Sequence, residues 1–139
     1  MARLTQFSEK QVAGLGVLDE EHSEIHRKYL ELSRTILEGS SLQRMRAVSE
    51  ILTELILLHL VHEEEFLRKM LFPLLAEHRD AQMGMMAEIF KIELDLSRND
   101  VSAPLRLRDL CGDWMREHIH IETQELQIAV MSSADQQGF

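Results

Sequence analysis

Each of four helical stripes in this 139-residue chain is interrupted by histidine where leucine or isoleucine would ordinarily stand: His22 in the first, His59 with His62 in the second, His78 in the third and His118 in the fourth. His59 and His118 are each followed four residues later by a glutamate, Glu63 and Glu122. That spacing puts an imidazole nitrogen and a carboxylate oxygen on one helix face, a turn apart. Imidazole with carboxylate is a donor set for a transition-metal cation; iron, zinc and manganese all accept it, and ligand type alone does not choose among them. A single histidine on an apolar stripe is ordinarily a hydrogen-bonded core residue, so the argument rests on the whole set. A buried carboxylate without a partner costs several kcal/mol or takes up a proton. Two of them beside four imidazoles call for cations.

Other residues carry weaker signals. His26, one turn after His22, reads as an outer partner of the site or an alternative ligand. Gln82, one turn after His78, reads as a hydrogen-bond donor to a metal-bound water or as core filler. His62 and His120 read as interface or surface residues, and Glu64 and Glu65 as solvated. Trp114 and Cys111 hold stripe positions and read as packing, Trp114 also as a shield against water. Met83, Met85 and Met86 read as adaptable packing beside a ligand pocket.

These side chains need helices to position them, and the sequence supplies four, separated by breaks at 38–41 (EGSS), 71–73 (LFP) and 97–104 (SRNDVSAP). Apolar residues recur at three- and four-residue intervals, as in Leu18, Ile25, Tyr29, Leu32 and Ile36, or Val48, Leu52, Leu55 and Phe66. The expected helices are 19–38, 41–70, 73–97 and 103–131, after an irregular leader over 1–18. Gly39 and its serines suit a helix end and the next helix's cap, Pro73 a first helical turn, and Ser102 an N-cap. Asp19, Glu20 and Glu21 suit an acidic first turn. One domain with short connections predicts an all-α, up-down-up-down four-helix bundle. In such a bundle, residues equidistant from a turn share a depth. The midpoint of His22 and His59 falls in the first break, that of Glu63 and His78 beside the second, and that of His78 and His118 at the edge of the third. One layer is therefore expected to hold His22, His59, Glu63, His78, His118 and Glu122.

Bulk properties narrow the function classes. The formal net charge is −9 with no basic stripe, which argues against nucleic acid and anionic membrane as partners. The start, MARLTQFSEK, lacks a signal-peptide core, and no apolar run is long enough to span a bilayer. One cysteine cannot form an internal disulfide and suits a reducing cytoplasm, the expected location. No Ser/His/Asp arrangement, phosphate-cradling glycine loop or CxxC motif is present.

LDEEH at 18–22, HLVHEE at 59–64, His78 and WMREHIHIE at 114–122 together resemble the hemerythrin-like proteins, in particular the cation-binding HHE domain of bacteriohemerythrin type, over roughly residues 12–130. The ordered pattern H…HxxxE…H…HxxxE carries the likeness. The resemblance implies a four-helix bundle holding two non-heme iron ions, oxo- or hydroxo-bridged, that binds dioxygen or another small diatomic ligand for storage, delivery or sensing. It implies that His22, His59, His78 and His118 are terminal ligands and Glu63 a bridging carboxylate. Two positions depart from the oxygen carriers. Gln82 replaces the second histidine of HxxxH, and Thr123 stands where HxxxxD has its aspartate, while Glu122 matches the HHE variant and could supply the second bridge. Loss of a histidine opens coordination positions and favours an alternative role, as an enzyme or stress protein acting on peroxide or nitric oxide or in iron handling and iron–sulfur repair. A helical interaction module with a degenerate metal site is the third reading.

Overall fold

The computed structural model describes the backbone of residues 9–136 and the side chains of residues 15–117 and 121–131. The described residues are all-helical in their regular structure: α1 spans Glu9–Leu37, α2 Leu42–Lys69, α3 Leu75–Ser97 and α4 Ala103–Gln136. No strand occurs among the described residues, and no helix among them is long and apolar enough to cross a membrane.

The connection from α1 to α2 follows its sequence. Gly39 takes a left-handed φ of 66°, which lets Ser40 N–H reach back to Thr35 O at 3.0 Å and satisfy a terminal carbonyl. Ser41 then caps α2, its hydroxyl accepting from Arg44 N–H at 3.2 Å. The second connection differs from expectation, because α3 begins at Leu75 rather than at Pro73. Leu71 adopts φ 56°, so Phe72 N–H closes onto Leu67 O at 3.0 Å and the Phe72 ring is buried. A residue preceding proline is disfavoured in helical geometry, so Phe72 and Pro73 remain in the connection. At the third connection, the Ser102 hydroxyl donates to Asp100 Oδ1 at 2.8 Å, immediately before α4.

The leader expected over 1–18 is overturned in part. Helix α1 already runs from Glu9; residues 1–8 lie outside the described residues. Gly14 and Gly16 each disfavour helix by about 1 kcal/mol. Against that, Leu18 is buried among Leu67, Phe72, Leu126 and Val130, with Leu15 packed alongside. Full burial of a leucine contributes about 1.5–3 kcal/mol, enough to carry the helix through the glycines. Asp19, Glu20 and Glu21 are consequently mid-helix and free to do something other than face a dipole. Helix α4 also continues past 131, to Gln136.

The core is divided. One apolar cluster joins all four helices through residues such as Ile25, Leu32, Leu52, Ile56, Ile89, Leu96, Leu107 and Trp114. A smaller one gathers Leu18, Phe66, Leu67, Phe72, Leu126, Ala129 and Val130. Along each helix a polar position falls between the members of the two clusters: His22 between Leu18 and Ile25, Glu63 between Leu60 and Phe66, His78 between Phe72 and Met85, Glu122 between Trp114 and Leu126. The interruption in the hydrophobic core is the candidate site.

Candidate metal centre

Each polar member of this layer sits on a helix whose neighbouring turns are locked by apolar packing, so the backbone holds it at fixed depth. His59 on α2 is fully buried, Glu63 is 2 % exposed and Glu122 on α4 is 3 % exposed. His78 on α3 is also buried, and His22 on α1 is half-buried. The imidazoles share one arrangement. His22 Nε2 lies 3.0 Å from Glu122 Oε2, and His59 Nε2 lies 2.6 Å from Glu122 Oε1 and 3.6 Å from Glu63 Oε2. His78 Nε2 lies 3.2 Å from Glu63 Oε1. The opposite ring nitrogens turn outward to other carboxylates: His22 Nδ1 to Asp19 at 3.6 Å, His59 Nδ1 to Glu21 at 3.0 Å and His78 Nδ1 to Glu125 at 3.1 Å. Three Nε2 atoms from three helices thus converge on the carboxyl pair Glu63–Glu122. An outer carboxylate holding Nδ1–H is the arrangement that leaves Nε2 free to ligate.

The electrostatics of the pair are asymmetric. Burial, then contact with Glu122 and the charge of Glu125, drives the Glu63 pKa far above its ordinary value of 4.5. Burial opposes ionisation of Glu122 as well, but hydrogen bonds from His22, His59 and Glu63 outweigh it and hold Glu122 well below the usual carboxylate range. Two touching carboxylates in a dry core cannot both ionise without a cation; Glu63 keeps the proton because fewer donors serve it. For His22, burial works against the charged form, yet Glu122 and Asp19 together raise its pKa above 6.5.

Two groups of three donors are close enough to hold an ion each: His22, His59 and Glu122, and Glu63, His78 and Glu125, with the ligand atoms of each group within 4.8 Å of one another. His78 Nε2 is buried and makes no hydrogen bond despite its nearness to Glu63. A buried ring nitrogen left unpaired beside a carboxyl is what a metal position looks like from the protein side. The residues present therefore offer two neighbouring His/Glu groups that could each hold a cation, Glu122 in one and Glu63 in the other.

The surroundings are apolar. Trp114 meets the His59 ring edge-on with centroids 5.9 Å apart, and the His22 and His59 rings meet edge-on at 4.5 Å. A cavity of about 240 Å³ reaches Glu63, His78 and Glu122 past Leu60, Met85, Trp114 and Ile121, with Leu74, Glu77, Ala81 and Gln82 completing its wall with Glu125. Met85 and Gln82 line this cavity, while Met83 and Met86 line a neighbouring one. Cys111 is a buried free thiol whose pKa burial pushes up to about 12, so it packs rather than reacts.

Of the six residues expected in the layer, the structure brings together His22, His59, Glu63, His78 and Glu122; the side chain of His118 lies outside the described residues, as does that of His120. His26 is exposed and stacks on Tyr29 with centroids 6.4 Å apart, and it belongs to neither of the two donor groups. Its i,i+4 step from His22 carries it one turn along α1 on the same side of the helix, where its side chain is exposed. Gln82 is buried and donates its Nε2–H to Leu60 O at 3.1 Å, which commits that amide to the α2 backbone. Glu64 pairs with Arg79 at 2.7 Å on the surface. Sequence reasoning missed Glu21 and Glu125. Glu125 could have been found from its i,i+3 spacing to Glu122 on the same stripe; Glu21 was hidden by the misplaced start of α1. No protein-family model, curated protein or solved structure matches this chain.

Proposed function

We propose that the chain is a hemerythrin-like protein: an up-down-up-down four-helix bundle that holds two non-heme iron ions in its core and binds dioxygen, for storage, delivery or sensing, in a reducing cytoplasm. The observation that carries this reading is the fusion of two His/Glu donor groups at one buried carboxyl pair, with three Nε2 atoms aimed inward. In it, His22 and His59 serve one ion, His78 the other, and Glu63 and Glu122 lie between them, with His118 assigned by its motif position. Ferrous ions there would supply the electrons that a diatomic oxidant takes up on binding. The chain's own contribution is exclusion and orientation. Leu60, Met85 and Trp114 keep the cavity apolar, which favours a small neutral ligand over bulk water. The outer carboxylates Glu21 and Glu125 hold the His59 and His78 rings in the orientation that presents Nε2. Glu63 must surrender its proton when cations arrive, so binding releases protons and weakens in acid.

A second reading is favoured by Gln82. Its amide is tied to Leu60 O and contributes no nitrogen to the pair, so fewer protein ligands surround the His78 side. More open positions there suit chemistry on peroxide or nitric oxide, or iron handling. Cycling the reduced, iron-loaded protein between oxygen and argon separates the two. A reversible optical change supports binding; bleaching after a single exposure supports the enzyme.

A further inference from the structure

We propose that Glu21 is the positioning residue of His59, clamped for that task by His62; this rests on the metal-centre reading above. His59 is fully buried, and its Nδ1 has Glu21 Oε1 as its acceptor at 3.0 Å. The other oxygen, Glu21 Oε2, meets His62 Nδ1 at the half-exposed edge of the α1–α2 interface. His59 and His62 are three residues apart on α2, so they present adjacent ring nitrogens to one carboxylate reaching across from α1. Both oxygens of Glu21 are thereby used, and the group cannot rotate away without breaking two contacts. Its neighbour Glu20 faces solvent. The chemical consequence falls on the far side of the ring. With the Nδ1 hydrogen held by Glu21, a hydrogen that Nε2 shares with Glu122 in the metal-free ring is the one a cation displaces, and donation from Nδ1 to an anion strengthens the lone pair so exposed. Without Glu21 a single ring hydrogen is better placed on Nε2, where Glu122 Oε1 waits at 2.6 Å, and the ligand position is blocked. Glu21 touches no reacting atom; it acts through His59.

The test compares Glu21→Ala, Glu21→Gln and, as control, Glu20→Ala. Zinc(II), which is redox-silent, is titrated in competition with a chelator, and the His59 ring is followed by ¹⁵N-edited NMR in the metal-free protein. Glu21→Ala is expected to weaken one of two zinc positions about 10- to 100-fold and to abolish a slowly exchanging His59 Nδ1–H resonance. Glu21→Gln, whose side-chain carbonyl still accepts a hydrogen bond, is expected to recover most of both, and Glu20→Ala to change neither. Wild-type zinc affinity in Glu21→Ala, or equal impairment of the Ala and Gln variants, overturns the proposal. If the wild-type chain binds no zinc or iron, the metal-centre reading fails instead. The Nδ1–H resonance then decides on its own whether Glu21 holds the ring, its presence in wild type and loss in Glu21→Ala supporting the hold and its persistence in Glu21→Ala overturning it.

Discussion

Replacing Glu63 by glutamine should make the metal-free protein more stable while ruining its grip on metal. Glu63 is 2 % exposed, and its pKa is raised from 4.5, first by burial and then by Glu122 and Glu125. The folded chain therefore carries a proton that the unfolded chain gives up above pH about 4.5. A group of this kind contributes most to stability below its unfolded pKa, and the contribution is lost as pH rises toward the folded pKa. At pH 7 the folded state must take up a proton against roughly 2.5 pH units, which at about 1.4 kcal/mol per unit costs about 3 kcal/mol. Glutamine is close in shape to the protonated carboxyl, keeps a donor for Glu122, and incurs no such cost. The metal-free variant should gain up to about 3 kcal/mol at pH 7, or about 3 °C in Tm per kcal/mol for a chain of this size. The gain should shrink toward zero as pH approaches 4.5. Urea denaturation of chelator-treated wild type and Glu63→Gln at pH 5, 7 and 8.5 measures this directly. A variant less stable than wild type at pH 7, or a difference that does not change with pH, refutes the reasoning and makes Glu63 an ionised structural partner of His78. Metal affinity of the same variant should fall by at least about 10-fold, because one donor group has lost its buried carboxylate charge.

Other perturbations address separate parts of the structure. His59→Ala should destabilise the protein by about 3–5 kcal/mol in chemical denaturation and lower its metal content, because it strips Glu122 of its 2.6 Å partner and Glu21 of its ring contact. Ser41→Ala should cost about 1 kcal/mol in urea denaturation through loss of the α2 cap. Gly39→Ala should cost about 1–2 kcal/mol by the same assay, from backbone strain alone, since φ is 66° and an added methyl meets nothing within 4 Å. Lowering pH from 7 to 5 should release metal as ligand imidazoles and carboxylates take up protons, measurable by equilibrium dialysis at each pH.

How much of this was legible depends on which physical signal each residue carried. His22, His59, Glu63, His78 and Glu122 interrupt apolar stripes at helical spacing, and glycine and proline located the turns independently, so their common depth followed from the sequence. Glu21 gave no such signal. A glutamate facing a buried imidazole and one facing water look alike in a charged run, and only the neighbouring helix distinguishes Glu21 from Glu20. The start of α1 was misread because Gly14 and Gly16 disfavour helix locally, whereas the burial of Leu18 that overrides them is a tertiary contact. The same holds at Pro73, where the anchoring of Phe72 in the core delays α3 to Leu75. His26 stands one turn from His22, and which of the two faces the carboxyl pair is settled only by how α1 packs on α2 and α4.

The proposed function requires that this layer hold a pair of ions. Elemental analysis of the purified chain after expression in iron-rich medium, with protein concentration measured on the same sample, tests it most directly. Two irons per chain are expected. Well under one transition metal per chain would contradict the proposed function.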